Sequence, residues 1–384
     1  MDWAKHLLVM PILLPLVTGA ALLLIDEQRH LLKAVASLAS TLIMFAAALA
    51  LLPMADGAAG SGSALSTSYA IGNWPARFAI VLVADRLAAL MLVLTTVLAL
   101  ASLAFAAARW DRQGPHFHSL FQFMLMGLAG AFLTGDLFNL FVFFEVTLAA
   151  SYGLLLHGSG ALRVRFGLHY IAINLAASLL FLIGVSLLYG VTGTLNMADL
   201  ALRLPGVPAE DRALLQAGAA ILGVAFLVKA GMWPLGFWLP PAYMAAAAPV
   251  AAIFVLLTKV GVYIVLRLTL LLFHGEATGL AGFGGTVLLW GGIATIAFAT
   301  AGVLASQALG TLAGYSVLIS SGTLLAAAGM GHAAVVSGAL FYLVSSSLAT
   351  AAFFMLIELV ERAREPGADV LAVTMEAYAD DAPS

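Results

Sequence analysis

Long apolar runs separated by short polar segments repeat along almost the whole chain. A helix that crosses the hydrocarbon core of a membrane needs about 20 apolar residues, and by that measure we predict eleven spans. Irregular backbone facing lipid would leave its polar groups unpaired, so these runs predict α-helices. They do not suit a β-barrel, whose strands alternate with period two. The predicted spans cover residues 5–25, 32–53, 78–107, 118–134, 137–157, 167–190, 213–236, 246–272, 282–305, 311–330 and 335–359.

Composition points to the same class, an all-α polytopic membrane protein in contact with lipid. Hydrophobic residues make up 63% of the chain and charged residues 9%, whereas soluble domains are about a quarter charged. Because the chain has no Cys, disulfides, thiolate metal sites and cysteine catalysis are excluded. The net charge of -3 argues against a nucleic-acid partner. No nucleotide, haem or iron–sulfur motif is present, so we expect no cofactor and no metal.

Three charged side chains lie inside predicted spans: Glu145 in the fifth, Lys229 in the seventh and Lys259 in the eighth. A charge at membrane depth is expensive, so it usually faces the bundle interior and serves an ion or proton route. We therefore predict a proton relay through these three residues. A structural alternative stays open for each. Glu145 would bond a neighbouring helix, Lys229 would snorkel to the interface, and Lys259 would form a static salt bridge.

A helix break is predicted beside Lys229, because Gly231 and Pro234 follow it closely. A proline inside a helix removes one hydrogen bond and clashes with the carbonyl four residues back, here that of Ala230. Broken helices at mid-membrane expose backbone carbonyls to an ion path. A nearby carboxylate such as Glu145 would then help to set whether Lys229 holds its proton.

Weaker candidates lie at the predicted ends of spans. Asp136 stands at the start of the fifth span, where the helix dipole favours an acid. His332, between the tenth and eleventh spans, is either a relay end or a surface residue. Asp85 and Arg86 are interpreted as a local ion pair at the start of the third span. Ser178 is a possible helper in a water chain, although hydroxyls in membrane helices more often bond backbone or a neighbouring helix.

Three segments carry a family resemblance: TGDLFNLFVFFEVTLAASYGLL, FLVKAGMWPLGFWLPPAY and PVAAIFVLLTKVGVYIVLR. They resemble the D-type subunits of the Mrp/Pha-type multi-subunit monovalent cation/proton antiporters, which are related to the antiporter-like membrane subunits of respiratory complex I. The resemblance covers essentially the whole chain. It implies that Glu145 is the essential glutamate of the fifth helix, Lys229 the lysine of a discontinuous seventh helix, and Lys259 the lysine of the eighth. Protons are then expected to move laterally toward the second lysine.

The family fold has fourteen helices with two inverted repeats of five. On that pattern residues 1–115 hold helices one to three, 116–275 the first repeat, 276–360 the start of the second, and 361–384 a polar cytoplasmic tail. Two departures stand out. The chain stops after the eleventh span, so we expect a piece of a longer product or a split subunit. Relatives also often have a histidine and a lysine where this chain reads SSSLAT at 345–350.

The resemblance implies a membrane subunit of a Na⁺ or K⁺/H⁺ antiporter, a secondary transporter rather than an enzyme. Its expected partners are the other subunits of the complex, protons, Na⁺ or K⁺, and lipid. It is expected in the bacterial inner membrane, and a small excess of inner basic residues favours a periplasmic N-terminus. Two alternatives stay open. One is a proton-pumping subunit of an NADH–quinone oxidoreductase or hydrogenase, and the other is a scaffold that does not transport.

Overall fold

The computed structural model describes residues 6–55, 67–74, 80–272 and 282–363. The predicted cytoplasmic tail therefore lies outside the described residues from 364 onward. Two short strands are β1 (Thr67–Ala70) and β2 (Val81–Ala84). The α-helices are α1 (Met10–Leu23), α2 (His30–Ala55), α3 (Arg86–Ala106), α4 (Phe117–Leu133), α5 (Leu137–Leu155), α6 (Ala161–Thr192), α7 (Met197–Arg203), α8 (Arg212–Ala230), α9 (Leu239–Ala245), α10 (Ala248–Leu272), α11 (Gly285–Ala305), α12 (Leu309–Met330) and α13 (Ala333–Ala363).

Nine helices of the described residues are long and apolar enough to cross a membrane: α2, α3, α5, α6, α8 and α10 to α13. The shorter apolar helices α1 and α4 have 14 and 17 residues. Every predicted span overlaps one of these helices, so a mostly helical membrane architecture is confirmed, while the count of eleven spans stays a prediction. The centre of the bundle is α10, because 94% of its membrane window is buried, against 22% for α11.

The third predicted span begins too early. We expected helix from residue 78, but Val81–Ala84 forms β2, which pairs antiparallel with β1. These residues read VLVA, and β-branched side chains fit a pleated strand as well as a helix. The helix α3 begins at Arg86 because Asp85 caps it, accepting a hydrogen bond of 2.8 Å from the backbone N–H of Ala88.

Polar loops gather at two opposite ends of the bundle. We name them after one carboxylate each. At the Glu27 end, Glu27 accepts a hydrogen bond of 2.7 Å from Lys33 and lies 2.9 Å from His116 Nδ1. At the Asp85 end, Asp85 forms an ion pair of 3.0 Å with Arg267 of α10, a partner the sequence does not indicate. Which end faces the periplasm stays a prediction.

A buried hydrogen-bonded cluster joins α1, α2 and α4. The side-chain amide of Gln122 donates to Ser37 Oγ at 2.8 Å and to Thr41 Oγ1 at 3.2 Å. Its carbonyl oxygen accepts from Ser40, which in turn accepts from Thr18 of α1 at 3.0 Å. Polar side chains between membrane helices strengthen their association when they find partners. The cluster therefore holds the N-terminal helices against α4.

Glu27→Gln should lower thermal stability slightly at neutral pH but not in acid. Partial burial raises the pKa of Glu27, but the hydrogen bond from Lys33 and the charges of Lys33 and His116 outweigh it, so the pKa is lowered. A carboxylate with a lowered folded-state pKa stabilises the fold above its unfolded-state pKa. That contribution is lost as pH falls through the folded-state pKa. We expect a drop of a few degrees, because Glu27 is 37% exposed and water screens its charge, although Lys33 is buried. Thermal unfolding in detergent checks this, and an equal drop in acid would contradict it.

Candidate functional site

Glu145 lies in the middle of α5, on the side that meets α6. Its carboxylate accepts a hydrogen bond from the hydroxyl of Ser178 on α6. It follows Asp136 by nine residues, which places it about 13 Å further along the helix axis at 1.5 Å per residue. Glu145 is close enough to Lys229 to interact with it electrostatically. Within the described parts of the chain, no ion pair of 4.0 Å or less joins the two.

The helix α8 ends immediately after Lys229, at 230 rather than at the predicted 236. Gly231 takes a left-handed conformation, with φ of 74°. Its N–H donates to the carbonyl of Val228 at 3.2 Å, and the N–H of Met232 donates to that of Leu227 at 3.0 Å. These two bonds form a Schellman motif, in which glycine ends a helix at no steric cost. Residues 231–238 then run without regular α-helix before α9 begins.

Glycine, not proline, ends the helix. Pro234 lies four residues beyond Ala230, where proline is common because it cannot continue a helix. Two tryptophans hold the segment that follows. The indole N–H of Trp238 donates to the carbonyl of Val228 at 3.3 Å, and the backbone N–H of Trp233 donates to Thr295 of α11 at 2.8 Å. The break beside Lys229 is therefore anchored to α8 and α11.

The ammonium of Lys229 is buried, and among the described residues it has no hydrogen-bond partner. The side chain is 7% exposed, so it does not reach the bundle surface. Its Nζ lies 5.1 Å from the centroid of the Phe144 ring, a cation–π distance. It also sits in the last turn of α8, where the helix dipole favours a positive charge. Ring and dipole partly replace the water that a buried charge has lost.

A cavity of about 30 Å³ lies against Lys229. The residues that line it include Thr147 on α5 and Tyr170 and Asn174 on α6, which are polar, alongside apolar ones. A cavity needs at least about 10 to 15 Å³ to hold one water, and the water needs polar partners. The cavity therefore has the size and lining to hold ordered water beside the ammonium.

Lys259 is fully buried in α10 and points toward α12. Its Nζ donates a hydrogen bond of 2.6 Å to Ser320, whose hydroxyl lies 2.9 Å from that of Ser346 on α13. Its neighbours Leu257 and Val260 line the cavity beside Lys229. The same helix thus borders the Lys229 cavity on one side and carries a hydroxyl-linked lysine on the other.

Gly261 lets α8 end directly against α10. A Cβ at this position would lie 2.6 Å from the backbone nitrogen of Ala230 and 3.0 Å from the carbonyl carbon of Lys229. No other residue type allows the two backbones to approach so closely. The glycine therefore fixes the position of Lys229 relative to the helix of Lys259.

The secondary candidates lie away from this group. Asp136 caps α5 and accepts a hydrogen bond of 2.9 Å from the N–H of Asn139. Burial raises the pKa of Asp136, partly opposed by hydrogen bonds from backbone N–H groups. His332 is exposed in the turn between α12 and α13. The structure thus brings Glu145 and Lys229 near each other and leaves Asp136 and His332 at the ends of helices.

Sequence reasoning did not identify Ser320 and Ser346 as partners of Lys259. Hydroxyls are common in membrane helices and usually bond backbone, as Thr258 does with the carbonyl of Val255 at 2.9 Å. The run of serines around Ser346 was visible only as a departure from the family pattern. Its contact with α12 depends on tertiary packing, for which the sequence carries no local signal.

Comparison with known proteins matches residues 134–375 to the family described as "NADH:quinone oxidoreductase/Mrp antiporter, TM". The match includes α5, α8 and α10, and so all three charged residues. The chain is 64% identical over 380 residues to a probable K(+)/H(+) antiporter subunit of the D type from Rhizobium meliloti, covering 99% of this chain and 70% of that protein. It is 35% identical over 362 residues to a Na(+)/H(+) antiporter subunit of the same type from Alkalihalophilus pseudofirmus, covering 93% and 71%.

Among solved structures, a chain in the Mrp complex from Dietzia sp. DQ12-45-1b superposes with a TM-score of 0.83. The two sequences are 30% identical, and the match covers 92% of this chain and 64% of that one. The present chain therefore spans 64% to 71% of the length of these three proteins.

Proposed function

This chain belongs to the family of D-type subunits of the Mrp/Pha-type cation/proton antiporters, and we propose that it exchanges protons for K⁺ as one member of such a complex. The observation that carries the proposal is the partnerless, buried ammonium of Lys229 among the described residues, beside a water-sized cavity and near Glu145. A buried charge of this kind marks a proton route in membrane proteins. We also propose that the chain lies in the bacterial inner membrane, assembles there with the other subunits of the complex, and has its N-terminus in the periplasm.

Similarity favours K⁺ over Na⁺ as the exchanged cation. The relative named for K(+)/H(+) exchange is 64% identical to this chain, whereas the one named for Na(+)/H(+) exchange is 35% identical. Both names state a proton as the second ion. We therefore propose K⁺ as the substrate and keep Na⁺ as the cation to test against it.

In the proposed mechanism, Glu145 controls whether Lys229 holds a proton. Desolvation disfavours the charged ammonium, and a nearby carboxylate favours it. When the carboxylate is ionised and near, Lys229 keeps its proton. When Glu145 is protonated or moves away, only the ring of Phe144 and the end of α8 stabilise the Lys229 ammonium. They stabilise it less well than they do together with the ionised carboxylate. The proton then leaves through the cavity that Thr147 and Asn174 line.

The second step takes the proton to Lys259 and on to the hydroxyls of Ser320 and Ser346. We treat α8 and α9 as the two halves of the discontinuous seventh helix, with residues 116–275 as the first repeat and 276–360 as the start of the second. Proton transfer needs donors and acceptors within hydrogen-bond reach, directly or through one water. The bonds of 2.6 Å and 2.9 Å from Lys259 to Ser346 meet that requirement. The free energy of moving one elementary charge across the membrane is about 2.3 kcal/mol per 100 mV of membrane potential.

The proposal is tested by cation/proton exchange in inverted membrane vesicles that carry this chain with its partner subunits. A pH-sensitive dye reports the collapse of a respiration-driven proton gradient on addition of K⁺, Na⁺ or choline. We expect dye recovery with K⁺. Recovery with Na⁺ alone would overturn the choice of cation. No recovery in an assembled complex would overturn the antiporter function and favour the redox-driven pump or the scaffold.

Ser320→Ala should slow exchange about tenfold or more. It removes the acceptor of the Lys259 hydrogen bond, and bonds to charged groups contribute about 1.5–3 kcal/mol. The matched control is Ser316→Ala, one turn earlier on α12, because the Ser316 hydroxyl bonds the backbone carbonyl of Leu312 within its own helix. Initial rates of dye recovery measure both. Equal rates for the two variants would rule out the Ser320 step.

A further inference from the structure

A group of four side chains, three of them buried, lies between Lys259 and the Asp85 end of the bundle. Arg267 of α10 is 9% exposed, donates a hydrogen bond to the hydroxyl of Tyr263 and pairs with Asp85 at 3.0 Å. Tyr263 and Phe132 are fully buried, with ring centroids 5.0 Å apart and edge to face. The Tyr263 hydroxyl also donates to the Phe132 carbonyl at 2.5 Å. We call Phe132, Tyr263, Arg267 and Asp85 the Arg267 seal.

The seal follows Lys259 along one face of α10. Lys259, Tyr263 and Arg267 are spaced four residues apart, which on an α-helix places them one above the other. Arg267 stands about 12 Å from Lys259 along the axis at 1.5 Å per residue. Beyond Arg267 comes Asp85, whose side chain is 36% exposed and so opens to the Asp85 end. The seal therefore lies on the shortest path from Lys259 to the surface at the Asp85 end.

We propose that the Arg267 seal blocks proton leak between Lys259 and the Asp85 end. The inference rests on the proposed function, in which Lys259 passes its proton sideways to Ser320 and Ser346. A direct opening at the Asp85 end would let protons pass between Lys259 and the surface without the lateral step, and would dissipate the proton gradient. The seal blocks it in two ways, because packed rings exclude water and a fixed cation repels protons.

Arginine suits this role because it stays charged in proteins. A lysine or histidine at the same place would be able to take up and release protons. Asp85 neutralises part of the burial cost of the guanidinium, and Arg267 Cζ lies 5.6 Å from the centroid of the Tyr263 ring. The ion pair and the ring therefore hold the cation at a fixed place, between Lys259 and the surface.

The alternative is that the ion pair only joins α3 to α10. The two interpretations differ for the variants Arg267→Gln and Asp85→Asn. Removing either partner breaks the pair, so a purely structural role predicts the same phenotype for both. A barrier that depends on the cation predicts opposite results. Arg267→Gln removes the repelling charge and leaves Asp85 to attract protons, whereas Asp85→Asn leaves the cation in place.

The test measures the decay of an imposed pH difference in vesicles that carry the full chain in its assembled complex, in N-methylglucamine buffer without Na⁺ or K⁺. We expect Arg267→Gln to raise the rate of proton leak about tenfold. This is the factor that corresponds to losing the repulsion between unit charges about 12 Å apart, the distance from Arg267 to Lys259, at an effective dielectric constant near 20. Asp85→Asn should stay as tight as the wild type, and so should Arg267→Lys while its amine holds a proton. A tight Arg267→Gln, or an equally leaky Asp85→Asn, would overturn the seal.

A second variant separates failure of the seal from failure of the relay. In Arg267→Gln combined with Lys229→Ala, the leak should disappear if protons reach Lys259 through the relay. A leak that persists in the double variant would support the seal but overturn the relay as its supply. If the wild-type complex exchanges cations and the Arg267→Gln complex does not leak protons, the antiporter function holds and only the seal is overturned. The amount of assembled complex in the membrane is measured for each variant.

Discussion

Glu145→Gln abolishes cation/proton exchange in our account, while the subunit still inserts and assembles. Glutamine has nearly the same size and still offers an oxygen to the Ser178 hydroxyl, so packing is retained. It has no charge to hold the Lys229 ammonium and no proton to exchange. Loss of a positioned proton carrier typically costs a factor of about 10² to 10⁴, which would place exchange at the background of a dye assay. Dye recovery in vesicles and native electrophoresis of the extracted complex measure the two outcomes.

The matched control is Glu27→Gln, which removes a carboxylate at the Glu27 end and outside the site. It should exchange cations at close to the wild-type rate. Wild-type exchange by Glu145→Gln would show that Glu145 carries no proton. Loss of the assembled complex in Glu145→Gln would show that its bond to α6 is structural and that the mechanism is wrong.

Gly261→Ala is the second change with a large expected effect. Its new Cβ would stand 2.6 Å from the backbone nitrogen of Ala230, and a backbone atom cannot rotate aside as a side chain can. Overpacking of this kind costs about 1–3 kcal/mol. It would also push the end of α8, and Lys229 with it, away from α10. A displacement near 1 Å can reduce a positioned reaction about 100-fold. We therefore expect both a lower unfolding temperature and a nearly complete loss of exchange.

Gly223→Ala on α8 is the control for this prediction. A Cβ at Gly223 meets no described atom within 4 Å, so the new methyl group fits. Alanine also favours a helix over glycine, and we expect stability to be equal or slightly higher. Thermal unfolding in detergent and dye recovery measure both variants. If Gly261→Ala is as stable and as active as Gly223→Ala, the close approach of α8 and α10 does not position Lys229.

The membrane architecture and the three charged positions were accessible from sequence, because their signals are local. Apolar runs of this length specify membrane helices. The charges of Glu145, Lys229 and Lys259 are easy to identify because each stands alone within such a run. The helix break beside Lys229 was predicted from Gly231 and Pro234 together, with the proline as the physical reason. In the structure the left-handed conformation that ends α8 belongs to Gly231.

The partners of Lys259 and Arg267 could not be predicted, because each belongs to an element distant in the sequence. Ser320 is one of many membrane hydroxyls, and only packing of α12 against α10 brings it to Lys259. The same holds for Asp85 and Arg267, which are far apart in sequence and meet at 3.0 Å. Strand β2 was missed because an apolar segment of four residues fits a strand or the start of a helix.

The central claim is that Lys229 must gain and lose a proton, and exchange by Lys229→Arg tests it most directly. Arginine keeps the positive charge but does not release its proton in proteins. The cavity of about 30 Å³ beside Lys229 gives the larger guanidinium room. We predict that the variant assembles and shows no cation-dependent dye recovery in inverted vesicles. Recovery near the wild-type rate would mean that the site needs only a fixed charge, and would contradict the relay.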